Sequence, residues 1–175
     1  MCKQAIWLVF ALSILVGCPT LAQSPNPLDV VPDKMPFDIP YGPPITLDAA
    51  RAVIAAAEGE AKKHDWKMNI AVFDSGANLV AFARMDGAML FSIAIAEHKA
   101  RTSVMLRRET KAPETFVQNG GPGLTALTAD GIIAIRGGLP LIQNGVLIGA
   151  IGVSGGTGSQ DEVVAKAGVA AFGTK

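Results

Sequence analysis

The chain is nearly without cysteine and histidine. Its two cysteines, Cys2 and Cys18, both stand close to the N-terminus, so none is left downstream for a disulfide or a thiolate-held metal. The two histidines, His64 and His98, form no H-x-x-x-H pair and no carboxylate–histidine spacing of the kind zinc requires. No Ser-His-Asp order with a nucleophile elbow can be read. Neither sign of charge dominates: 15 Lys and Arg balance 15 Asp and Glu, so the basic footprint of a nucleic-acid-binding protein is missing. Aromatics are scarce at 6% although 50% of residues are hydrophobic, which implies a core of small side chains. The apolar run from Ala5 to Val16 is shorter than the roughly 20 residues of a membrane span.

That run, with Lys3 before it and small residues after it, reads as a secretory signal over residues 1–22. Two processing routes compete. Thr20-Leu21-Ala22 offers the small residues that a signal peptidase reads ahead of Gln23. Leu15-Val16-Gly17-Cys18 resembles a lipobox, which would leave Cys18 lipidated and the protein on a membrane. The polar Gln-Ser-Pro that follows favours simple cleavage and a periplasmic or secreted product. Loss of residues 1–22 removes Lys3 alone and leaves a net charge of about −1.

Residues 23–45 concentrate proline, which fixes φ and cannot donate to a ladder, so they form an extended arm. A pure spacer would lack the interleaved Val30, Val31, Met35, Phe37, Ile39 and Tyr41. Part of the arm is therefore expected to lie along the domain or a neighbouring subunit. From residue 46 to 175 the pattern is that of one domain. Thr46 or Asp48 caps a helix over 47–64. "MNIAVFD" and "LVAFAR" are strands joined by a turn at Ser75-Gly76 with Asn78. Residues 89–108 form a second helix with Ile93, Ala96, Ala100 and Val104 on one stripe. Residues 112–131 are mostly loop with a short helix, and "IIAIRGG" is a strand. "LPLIQ" and "VLIGAIGVSG" flank Asn144-Gly145, a type I′ hairpin signal. Ser159 and Glu162 supply a capping box for the last helix. Two hairpins separated by helices imply an α+β fold, a mainly antiparallel sheet with helices packed on it. Gly149 and Gly152 inside a strand mark close backbone approach, most simply beneath helix 89–108.

Several residues offer chemistry. His64 sits at a helix end as a dipole partner. His98 shares a predicted helix side with Arg101, Thr102 and Met105, and is a candidate ligand for haem iron or another metal. Arg84 presents a fork for a carboxylate, and Asp86 beside it either orients that ligand or merely starts a turn. "GAIGVSGGTGSQDEVVAKAG" has neither the lysine of a phosphate-binding Walker loop nor the G-x-G-x-x-G of a dinucleotide fold. Its Gly155, Gly156 and Thr157 nevertheless aim backbone N–H groups from a helix start, where a carboxylate could bind. Asp161 in the first turn of that helix is the competing explanation, an internal acid that already satisfies those groups.

"ARMDGAMLFSIAIAEHKARTS" followed by "GGLPLIQNGVLIGAIGVSGGTGSQDEVVAKAG" resembles the GlcG/HbpS family of haem-binding or haem-degrading-type proteins. It is also similar to the C-terminal domain of PduO-type corrinoid adenosyltransferases. The resemblance spans about residues 46–173 and implies a profilin-like or PAS-like sheet assembled into dimers and larger symmetric oligomers. It further implies haem or another tetrapyrrole as the ligand. The family's lysine-alanine-x-threonine stretch falls on Lys99, Ala100 and Thr102, and its glycine-rich turn with following acid on Gly155, Gly156, Thr157 and Asp161. His98 lies beside this pattern, outside it.

Three readings follow. The first is an extracytoplasmic binder of haem or a related tetrapyrrole, with Lys99, Arg101 and the 155–157 amides holding carboxylates. The second is an enzyme acting on a small aromatic or carboxylated metabolite, with Lys99, Asp86 or His98 as acid–base group. The third is a non-catalytic oligomeric accessory protein. The export signal carries its own test. Intact mass of the secreted protein should begin at Gln23; a diacylglycerol mass on Cys18 with membrane retention would refute that choice.

Overall fold

The computed structural model describes residues 29–35 and 37–173. The signal segment 1–22, the two processing sites and the start of the arm through residue 28 lie outside the described residues. Along the chain come α1 (Leu47–Lys63), β1 (Asn69–Asp74), β2 (Leu79–Arg84), α2 (Phe91–Leu106) and α3 (Lys111–Gln118). A 3-10 helix (Gly121–Thr128), β3 (Gly138–Gln143), β4 (Val146–Ser154) and α4 (Gly158–Phe172) complete it. The sheet runs β2-β1-β4-β3 with every neighbouring pair antiparallel; the two hairpin signals require this of β1–β2 and β3–β4, and β1–β4 joins the hairpins in the same sense. Asn144 and Gly145 both take positive φ, 51° and 77°, the backbone of a type I′ turn.

Helices cover both faces of the sheet. Val53, Ala57, Val164 and Ala165 of α1 and α4 pack with Ile70, Val72, Ile151 and Val153 in the larger core. On the other face Ala96, Ala100 and Val104 of α2 meet Ala71, Phe73 and Ala150. Small side chains let α2 sit almost in backbone contact with the sheet. A Cβ on Gly152 would lie 2.1 Å from the Ala96 carbonyl oxygen, and one on Gly138 would lie 2.3 Å from that of Lys99. Gly149 is different. It faces the Phe73 carbonyl and Ile45, not α2, because alternation along β4 turns it to the opposite face.

The arm does lie on its own domain from Phe37 onward. Gly42 donates to the Leu147 carbonyl at 2.7 Å and Ile45 to that of Ile148 at 2.9 Å, so the arm continues the sheet beside β4. Arg107 ends α2 in the left-handed region, at φ 53°. Its guanidinium lies over Tyr41 while that of Arg108 lies 3.8 Å from the Phe37 ring centre. Cation–π stacking thus holds the arm against the helix end.

Two expectations are corrected. Residues 132–136 are not a strand: Ile133 gives its N–H to Thr102 Oγ1 at 2.9 Å, so that backbone is committed to α2 and not to a ladder. The capping box lies two residues earlier than Ser159 and Glu162, on Thr157 and Gln160. Thr157 is the residue with extended backbone, φ −71° and ψ 155°, so its hydroxyl meets the first helical N–H groups.

Gly152 and Gly59 make a paired test. Gly152→Ala forces a methyl group into helix backbone and should cost about 2 kcal/mol or more. Gly59, exposed in α1 with nothing within 4 Å of a built Cβ, should gain roughly 0.5–1 kcal/mol as alanine. Denaturant midpoints measure both; equal effects would overturn the assigned seating of α2.

Candidate functional site

The corner between α1 and β1 builds a site that the sequence motifs only bracketed. His64 closes α1 and its ring stacks on Trp66, centroids 4.3 Å apart. Trp66 packs against the larger core, which leaves Lys67 projecting at the sheet end. The Lys67 ammonium pairs with the exposed Asp65. Two clefts meet at Lys67. The first, of about 350 Å³, is lined by Glu58, Lys62, Lys67, Arg84, Met85 and Asp86. The second, of about 330 Å³, is lined by Lys67 with Trp66, Met68, Met89, Gly155 and Gly156 among others.

Local chemistry fixes these walls. Met85 donates its N–H to the Met68 carbonyl at 3.0 Å, tying the end of β2 to the start of β1. Buried Asn69 donates from Nδ2 to the Met89 carbonyl at 3.0 Å and anchors the turn before α2. Gly155 is required where it stands, since a Cβ there would lie 2.3 Å from the Lys67 carbonyl oxygen.

Behind this loop lies a buried ion pair. Lys99 Nζ donates to Asp161 Oδ2 at 2.6 Å and to the Val153 carbonyl at 3.0 Å. The side chains are 1% and 3% exposed. Burial lowers the Lys99 pKa, opposed by the charge and hydrogen bond of Asp161. The second carboxylate oxygen, Asp161 Oδ1, accepts the Gly156 N–H at 3.0 Å, while Thr157 gives its N–H to Gln160 Oε1 at 2.8 Å.

These contacts correct the sequence reading. Lys99 cannot hold an outside carboxylate or act on a substrate, because its ammonium is enclosed and already paired. The Gly156 and Thr157 amides are satisfied internally, so the competing role assigned to Asp161 is the one observed. Thr102 is buried and braces residues 131–133, and so does not share an open side with His98. His98 and Arg101 are exposed on α2 away from both clefts; Arg101 lies over Phe73 at 5.4 Å. Arg84 and Asp86 do meet in the first cleft, and Gly155 and Gly156 in the second. Lys62, Trp66, Lys67, Met68 and Met89 were missed. The available signal was Trp66 itself, the sole tryptophan after Trp7 in a chain poor in aromatics.

A second charged cluster is centred on α4. Buried Glu162 faces Lys166 at 2.5 Å, Lys111 at 3.6 Å and Arg136 at 3.8 Å, and Arg136 also binds Glu114 at 2.5 Å. This network carries the α3 segment on α4.

A four-stranded antiparallel sheet between helices, ending in paired clefts around one lysine, defines a small α+β domain with a mixed cationic and apolar site. The chain belongs to the HbpS-like family, described as "Haem degrading protein HbpS-like", whose model matches residues 45–170. Protein GlcG of Escherichia coli (strain K12) is 46% identical over 110 residues, which cover 63% of this chain and 81% of GlcG. The PduOC:haem complex superposes with a TM-score of 0.67 at 28% identity, covering 73% of this chain and 94% of that one. A double mutant of HbpS from Streptomyces reticuli gives a TM-score of 0.70 at 28% identity, covering 82% and 97%.

Glu162 supplies a pH test. Burial pushes its carboxyl up, but the Lys166 hydrogen bond and the charges of Lys166, Lys111 and Arg136 outweigh that and hold its pKa below 4.5. A depressed folded-state pKa contributes stability above about 4.5 that is lost as pH falls through the lower value. Glu162→Gln should therefore lower Tm at pH 7 and converge on the wild type in acid. A gap of constant size down to pH 3 would refute the assignment.

Proposed function

We propose that this protein is an extracytoplasmic binder of haem or a related tetrapyrrole, with the two clefts at Lys67 as its site. The observation that carries the reading is the meeting of both clefts at Lys67: Lys62 and Arg84 line the first beside Glu58, Asp86 and Met85, and Trp66 and Met89 line the second. A tetrapyrrole needs an apolar slot, cations for its carboxylates and an axial donor if it carries iron. Trp66, Met85 and Met89 supply apolar surface over buried Met68, and Met85 and Met89 supply thioethers that can ligate haem iron.

Lys62, Lys67 and Arg84 supply the cations. Arg84 makes no ion pair among the described residues, so its fork is open to a carboxylate. The Lys62–Glu58 and Lys67–Asp65 pairs are exposed, hence weak and readily exchanged for a ligand carboxylate. Haem, when bound, supplies its own iron redox chemistry; the protein's part is to hold and orient it. Family membership and the haem bound to PduOC support the choice of ligand.

Export rests on the leader at residues 1–22. Assembly into a homo-oligomer is supported by Met89, Leu90 and Phe91, consecutive side chains 56%, 68% and 73% exposed at the start of α2.

Titration with haemin should give a saturating Soret band. Lys67→Gln and Arg84→Gln should each weaken binding by about tenfold, the loss of one charge-assisted hydrogen bond. His98→Ala should leave the spectrum unchanged. Absence of the band, or wild-type affinity in both cleft variants, would sink the assignment. Light scattering on the same samples should report an oligomer, and a monomer at micromolar concentration would refute the assembly.

A further inference from the structure

We propose that Asp161, gripped by buried Lys99, is a positioning residue that sets the Gly155–Gly156 wall of the second cleft. The inference rests on that cleft being the ligand site. Neither residue touches a ligand: Lys99 is 1% and Asp161 2% exposed. Their effect reaches the cleft through one bond, from the Gly156 N–H to Asp161 Oδ1.

The geometry leaves Asp161 little freedom. One carboxylate oxygen takes the Lys99 ammonium at 2.6 Å and the other takes Gly156 at 3.0 Å. The ammonium is itself held by the Val153 carbonyl at 3.0 Å. Gly137, at φ 112°, closes over the pair: a Cβ there would lie 2.8 Å from Asp161 Cβ and 3.1 Å from Lys99 Nζ. Lys99 comes from α2 on one face of the sheet, and Asp161 from α4 on the other. The loop is thereby referenced to both helical layers at once.

A buried ion pair is not needed merely to join α2 to α4. Apolar side chains of similar size often do so equally well, since the pair must overcome the desolvation of two charges. What apolar side chains cannot do is accept the Gly156 N–H. Gly156 has no side chain with which to pack, so its place in the cleft wall depends on backbone bonds.

The double variant Lys99→Met/Asp161→Leu separates these roles. It should melt within a few degrees of the wild type, lose amide-exchange protection at Gly156, and bind haemin about tenfold more weakly or worse. Glu162→Gln, a change outside the clefts, should lower Tm while keeping both Gly156 protection and affinity. Wild-type protection and affinity in a folded double variant would overturn the proposal. Should that variant not fold, Lys99→Met/Asp161→Ala, which also removes both charges and the Gly156 acceptor but with a smaller side chain, is read in the same two measurements. If the wild type itself binds no haemin, the ligand assignment falls, and Gly156 exchange alone decides the positioning role.

Discussion

The seating of α2 on the sheet is the constraint on which the other features depend. Glycine at 138 and 152 brings helix and strand backbones closer than any side chain permits. Ala96 and Ala100 complete the contact from the helix side. Only at that distance does Lys99, in the middle of α2, reach the Val153 carbonyl and the first turn of α4. A larger residue at either glycine would lift the helix and withdraw the ammonium from Asp161. Packing and electrostatics are therefore one design here, with small residues setting where a buried charge falls.

The domain uses its charges in two distinct ways. At the β1 end, Lys62, Lys67 and Arg84 stand in solvent with weak partners or none, and remain open to an incoming anion. Inside, Lys99 is fully committed to internal acceptors. Glu162 likewise spends its charge on the fold, drawing three cations from α3, α4 and the segment before β3. A basic residue in a motif thus says little about ligand binding until its enclosure is known.

Much of the fold was legible from local chemistry. Asn144-Gly145 specified a hairpin because few residues tolerate two consecutive positive φ angles. Of the two caps the sequence offered, Thr46 and Asp48, the first is used: its side chain accepts the Ala49 N–H. Residues 132–136 misled because isoleucine-rich segments favour strands, while a single tertiary bond to Thr102 redirected this one. The site was legible in pieces. Arg84, Asp86, Gly155 and Gly156 were marked, and Asp161 was weighed as the internal partner of the 155–157 amides. Lys99 was assigned outward because a sequence carries no record of which helical face meets a sheet lined with glycine. Lys67 escaped because it belongs to no motif; it matters only through where the chain turns between α1 and β1.

The strand order has a consequence for how the molecule is made. Each hairpin, β1–β2 and β3–β4, closes within a short stretch of chain, at small cost in loop-closure entropy. The two inner strands, β1 and β4, join across everything from Asp74 to Gly149. Loop-closure entropy makes that joining the late and costly event, with α2 and the α3 segment having to find their places in the same step. Until then each half exposes an inner edge rich in valine, isoleucine and alanine, an adhesive ribbon. The vulnerable moment of this protein's life is thus the search by one hairpin for its sister.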